Sequence, residues 1–182
     1  MDFPGNWIPP VSISSASKYC GEPGGYANGF STTSATGALS ANTTIYIPLN
    51  LPGPFPLRSF FWVNGTTVSA SNVQMCIRNV GGGILVQSVA TNQATASAMQ
   101  IVLPTGGGTV LIPAGNYLLG IGAASGSSQF FSRTGALQLV ARLGYNGSNT
   151  VLGAPNGTML ATSVVPLCGI SRWDGTSTGQ VY

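Results

Sequence analysis

Only three side chains in this chain could act as carboxylate acids or bases: Asp2, Glu22 and Asp174. Hydrolysis by paired carboxylates needs two of them at one bond. Asp2 and Glu22 fall near the start of the chain and Asp174 near its end, so no local pattern joins them. His is absent, which removes Ser-His-Asp and Cys-His nucleophile systems. Lys18 is the only Lys and follows Ser17. A phosphate-binding Gly-Lys-Ser/Thr loop is therefore missing, and a Ser-Lys nucleophile has little to rest on. The Cys residues, Cys20, Cys76 and Cys168, form no close pair. Zinc sites normally combine four Cys or His ligands with close pairs, so no metal is expected. Three free thiols from a reducing compartment are expected instead. No catalytic residue, cofactor or enzymatic activity is predicted.

Charge narrows the partners. Six Lys+Arg and three Asp+Glu make 5% of residues charged, against about 25% in an ordinary soluble domain. Lys18, Arg58, Arg78, Arg133, Arg142 and Arg172 are scattered, with no cluster to neutralise a row of phosphates. Nucleic-acid binding is not expected. The longest low-polarity stretch, Val110 to Ala124, contains Pro113 and Asn116 and is too short for a membrane span. The first ten residues have neither a basic nor an apolar block, so no signal peptide is expected. Four sequons begin at Asn42, Asn64, Asn146 and Asn156. A chain rich in Asn, Ser and Thr produces several by chance, so they carry no weight. The surface left by this composition is one of hydroxyls and amides. With so little net charge, it repels neighbouring proteins weakly and tolerates being covered.

The elements that must position these residues are short. Leu, Ile, Val and Phe make up about a quarter of the chain, above the roughly 20% below which chains stay disordered. In residues 42–49, Ile45, Ile47 and Leu49 fall on one face, with Thr44 and Tyr46 on the other. Residues 57–63 form an aromatic strand followed by an Asn64-Gly65 turn signal. Val73, Met75 and Ile77 alternate with Gln74, Cys76 and Arg78. Gly81–Gly83 and Gly106–Gly108 read as turns, and further strands fall at 84–89, 98–103, 109–112 and 116–121. Phe130-Phe131, residues 136–142 and residues 158–165 complete the set. No sustained 3.6-residue period occurs. The expected fold is all-β, an antiparallel jelly-roll-like β-sandwich over residues 39–182.

Residues 1–38 differ. Pro4, Pro9, Pro10 and Pro23 recur among Gly residues, and no strand period runs through them. Aromatic residues are spaced along this stretch, including Phe3, Trp7 and Tyr19. It reads as an irregular docking arm, with Phe3, Trp7, Ile8 and Tyr19 as candidate partner-binding residues. Exposed aromatics could also stack on sugars, as in lectin-like sandwiches. Tyr46, Trp62, Tyr117 and Tyr145 are the candidates. Trp62 and Tyr117 sit in strand patterns that predict core, and Tyr145 beside Asn146-Gly147 is the most exposed of the four.

The stretch from Leu57 to Ile121 contains an aromatic strand, RSFFWVNGTTVSASNVQMCIRN, then ILVQSV, then MQIVLPTGGGTVLIPAGNYLLGIGA. It resembles β-sandwich proteins of tailed-bacteriophage virions, both capsid decoration (cement) proteins and tail-fibre modules. The matching residues are Val73–Arg78, Gly83–Val86 and Pro113–Ile121. The resemblance implies a structural protein, usually a homotrimer, made in the host cytoplasm and carried in the virion. Its partner would be the major capsid protein or another virion protein. A tail-fibre or lectin-like module binding host glycans is the alternative.

Overall fold

The computed structural model describes residues 19–20, 34–39, 41–134, 141–145, 152–153, 155, 159–160 and 164–172. All of the regular structure among them is strand. In chain order these are β1 (Tyr19–Cys20), β2 (Ser34–Ala38), β3 (Thr43–Leu51), β4 (Phe55–Leu57), β5 (Ser59–Val63), β6 (Asn72–Asn79), β7 (Ile84–Gln87) and β8 (Thr91–Asn92). They continue as β9 (Met99–Val102), β10 (Val110–Ile112), β11 (Gly115–Ala123), β12 (Gln129–Thr134), β13 (Ala141–Tyr145), β14 (Met159–Leu160), β15 (Val164–Pro166) and β16 (Cys168–Ser171).

One layer is a seven-stranded sheet in the order β14-β13-β3-β11-β6-β7, with β8 also on β6. The other combines a four-stranded sheet, β1-β16-β5-β9, with a three-stranded sheet, β15-β12-β2. Leu167 joins these two: its N–H donates to Phe131 O (2.8 Å) and its C=O accepts from Val63 N (2.9 Å). The pair β10-β4 forms a separate small sheet that leads straight into β5. Every pairing of these strands is antiparallel.

Strand alternation builds the core. Ile45, Ile47 and Leu49 of β3 point inward with Leu119 and Ile121 of β11 and Met75 and Ile77 of β6. Register aligns them in rows: Ile47, Leu119 and Ile77 form one, and Ile45, Ile121 and Met75 another. Phe60 and Trp62 of β5, Phe130 of β12 and Ile170 of β16 fill the space from the other layer. Each such buried side chain contributes roughly 1.5–3 kcal/mol. The result is an all-β fold with sandwich-like packing.

Several elements depart from the sequence pattern. Two strands lie within 1–38: β1 pairs with β16 and β2 with β12. They are too short, and in β2 too rich in small residues, for alternation to announce them. Asn64-Gly65 is no hairpin turn. Asn64 forms an antiparallel bridge with Phe130, and the Gly65 N–H donates to Gln129 O at 2.9 Å. Of the strand expected at 158–165, residues 159–160 form β14 and residues 164–165 begin β15, residues 158 and 161–163 lie outside the described residues, and β16 follows. Of the strand expected at 136–142, residues 136–140 lie outside the described residues, and β13 runs on to Tyr145. The Gly106–Gly108 turn agrees with the sequence; all three residues have positive φ (90°, 68° and 75°), which glycine adopts at little steric cost.

Tyr46 is also buried, on the far face of the seven-stranded sheet, with Cys76 and Leu118. Its ring lies over Gly120, its register partner on β11. A Cβ on Gly120 would fall 2.6 Å from Tyr46 Cε1 and 2.8 Å from Cys76 Sγ. Gly120→Ala should therefore destabilise the fold by about 1–3 kcal/mol through overpacking. Urea unfolding checks this: the midpoint should fall at unchanged slope, and an unchanged midpoint would contradict the packing described.

Candidate functional site

Phe3, Trp7 and Ile8 lie outside the described residues. Tyr19 is described through its backbone, which pairs with Ser171 at the edge of the four-stranded sheet. Trp62 and Tyr46 are fully buried and Tyr117 nearly so. Each donates a polar hydrogen within the protein: Trp62 to Asn64 Oδ1 (2.7 Å), Tyr117 to Pro113 O (3.0 Å) and Tyr46 to Gly153 O. These three rings are therefore closed to a sugar. Tyr145 is in β13, paired with Thr43, and its side chain lies outside the description.

Part of the exposed apolar surface lies on the outer face of the four-stranded sheet and its β9 edge; Val80, Ile84, Leu85 and Leu111 are exposed elsewhere. Phe60 and Trp62 face the core, so Phe61 and Val63 alternate to the other side of β5, where Phe61 is itself buried and Val63 half-buried. Their register partners on β9 are Ile101 and Met99. Met99 is 44% exposed and Leu103, two positions beyond Ile101, is 42% exposed. Val89 lies beside Leu103, donating its N–H to Leu103 O (3.1 Å), and is 44% exposed. No charged residue occurs in 59–63, 84–89 or 99–105. Strand patterning reveals half of this surface. Which face stays open depends on layer packing, and that signal is absent from one strand's sequence.

At one end of the sandwich, neutral side chains interlock. Asn64, fully buried, accepts at Oδ1 from Trp62 Nε1 and from Gln93 Nε2 (3.0 Å). Its Nδ2 donates to Thr95 O (3.0 Å) and Gln100 Oε1 (2.9 Å). Gln93 also donates to Gln129 O (2.7 Å) and accepts from Ser69 N (3.1 Å). Gln100 completes the ring, accepting from Ala94 N (2.9 Å) and donating to Asn92 O (2.7 Å). A chain of hydroxyls adjoins it: Ser125 to Ser127 (2.8 Å), Ser127 to Ser69 (3.1 Å), Ser69 to Ser71 (2.8 Å) and Ser71 to Ser128 (3.2 Å). Hydroxyls bonded only to one another and to amides gain no nucleophilicity, which needs an adjacent base. They fix loops.

The buried thiols are equally unsuited to attack. Cys76 and Cys168 are buried. Burial pushes the Cys76 thiol up from 9.0 to about 11, only partly offset by its contact with Tyr46 and by Arg78. Reactive Cys sites do the opposite and favour the thiolate. Burial, with the nearby Cys76, likewise raises Tyr46, so its hydroxyl stays protonated and keeps donating to Gly153. Among the described residues, no three His, Cys, Asp or Glu come together as a metal site.

The linkage has a definite sign. Well below pH 9.0 the Cys76 thiol is neutral in folded and unfolded chains alike. As pH rises from 9.0 to about 11, the unfolded thiol loses its proton first and stability falls. Urea unfolding across that window should show the fall, and Cys76→Ala should flatten part of it. An identical pH profile for the variant would contradict the burial of this thiol.

Comparison with protein-family models and with curated proteins finds no match for the chain.

Proposed function

We propose that this chain is a non-enzymatic structural protein of a tailed-phage virion, a capsid decoration or cement protein that binds the major capsid protein and stabilises the shell. The observation that carries the reading is the uncharged apolar surface formed by Val63, Val89, Met99, Ile101 and Leu103. Interface centres are poor in charge and rich in apolar and aromatic groups, and contiguous exposed apolar patches mark contact sites. Tyr19 lies in β1, at the edge of the same sheet opposite β9. Phe3, Trp7, Ile8 and Tyr19 serve as additional anchors in this reading. A jelly-roll-like connectivity, a homotrimer and residence in the virion belong to the same proposal.

The test uses phage heads that lack the protein. Wild-type chain should co-sediment with them. Met99→Asp combined with Leu103→Asp changes two exposed positions, so stability should move by only about 0.5 kcal/mol per site. Binding should nevertheless fall at least about tenfold, the effect of losing 1.4 kcal/mol at an interface. Undiminished binding by the charged variant would remove this surface from the account. Failure of the wild-type chain to bind any head would overturn the proposal.

A further inference from the structure

Asn-Gly dipeptides are the points of a chain most prone to spontaneous deamidation, and Asn64-Gly65 is one of them. The Gly65 nitrogen, after losing its proton, attacks Asn64 Cγ and forms a new C–N bond. The side-chain nitrogen leaves as ammonia, giving a five-membered succinimide. Water then opens the ring at either carbonyl and yields aspartate or isoaspartate. The reaction needs a free Gly65 N–H, a mobile Asn64 side chain and a backbone able to rotate.

The fold withholds all three. The Gly65 N–H is engaged by Gln129 O at 2.9 Å, and the Asn64 N–H by Ala98 O at 2.9 Å. Bridging to Phe130 fixes the Asn64 backbone in extended pairing. Four hydrogen bonds from Trp62 and Gln93, and to Thr95 and Gln100, hold its side chain. The side chain is fully buried.

The product cannot take the same place. One carboxylate oxygen could accept from Trp62 Nε1 and Gln93 Nε2. The other would face two acceptors, Thr95 O and Gln100 Oε1, where Nδ2 now donates at 3.0 and 2.9 Å. Gln100 could turn its amide only by giving up its bonds with Ala94 N and Asn92 O. A buried charge facing acceptors is strongly unfavourable, and isoaspartate would also add a carbon to the backbone within the bridge. A glycan on Nδ2 meets the same enclosure, so the Asn64-Gly65-Thr66 sequon closes on folding.

We propose that Asn64-Gly65 is a conformationally gated modification site: sealed in the native fold, open on unfolding, and incompatible with refolding once converted. The gate makes prolonged unfolding irreversible.

The experiment compares full-length protein incubated natively and in urea at the same mildly alkaline pH. Peptide mass spectrometry reads the conversion of Asn64. Asn146-Gly147 and Asn156-Gly157 provide sequence-matched references in the unfolded chain. Native conversion should be at least about tenfold slower than unfolded conversion, since a buried site reacts only through rare opening. A smaller difference would overturn the gate. The urea sample is then diluted to refold. Chains converted at Asn64 should be absent from the refolded fraction, and their equal recovery there would overturn the second half of the proposal. Asn64→Asp, made directly, should lower the urea midpoint or abolish cooperative folding; a wild-type midpoint would also count against it.

Discussion

A chain with 5% charged residues must satisfy its buried polar atoms with neutral partners. That constraint shapes the molecule. Asn64 bonds through its side chain to Trp62, Gln93, Thr95 and Gln100, and so ties β5 to the 93–100 segment. Gln93 carries the network on to the β12 backbone. Neutral amides suit this task. They supply donors and acceptors together and avoid the desolvation cost of buried ions. Their weakness is that each bond matters more when its neighbours are also buried. The amide network therefore sits where the two smaller sheets of one layer meet, at the Asn64–Phe130 bridge.

The two layers treat their outer faces differently. On the seven-stranded sheet, Tyr46, Cys76 and Leu118 pack together over Gly120, and Leu152 packs against them. Thr44 and Tyr46 grip Gly153 by both backbone groups: Gly153 N donates to Thr44 Oγ1 at 3.0 Å, and Tyr46 donates to Gly153 O. Arg78 lies over the same ring, 5.7 Å from its centroid. The four-stranded sheet instead leaves Met99, Leu103 and the adjacent Val89 open. The closure over Tyr46 is local, since Leu85 of β7 on the same seven-stranded sheet is 43% exposed.

Much of the fold was legible because period-2 alternation is a local signal. The inward rows of β3, β6 and β11 follow directly from their sequences, as does the burial of Trp62 and Tyr117. The glycine triplets mark turns for a similarly local reason. What stayed hidden depends on distant partners. Tyr46 alternates away from the core and still becomes buried, because Gly153 lies 107 positions along the chain. Asn64-Gly65 carries a turn signature, but its burial and its bridge to Phe130 arise only when β12 arrives. β1 and β2 are too brief for any pattern, and β16 supplies the partner that gives β1 its register. The apolar surface has the same character: alternation identifies two faces of β9 but not which one remains uncovered.

The most direct measurement is a double-mutant cycle between Asn64 and Gln100, read by urea unfolding. Asn64→Ala, Gln100→Ala and the double variant would be compared with the wild-type chain. If the amide network acts as a unit, the second substitution should cost less once the first is made, with a coupling of about 1 kcal/mol or more. Additivity within about 0.3–0.5 kcal/mol would show two independent hydrogen-bonding residues and contradict the account.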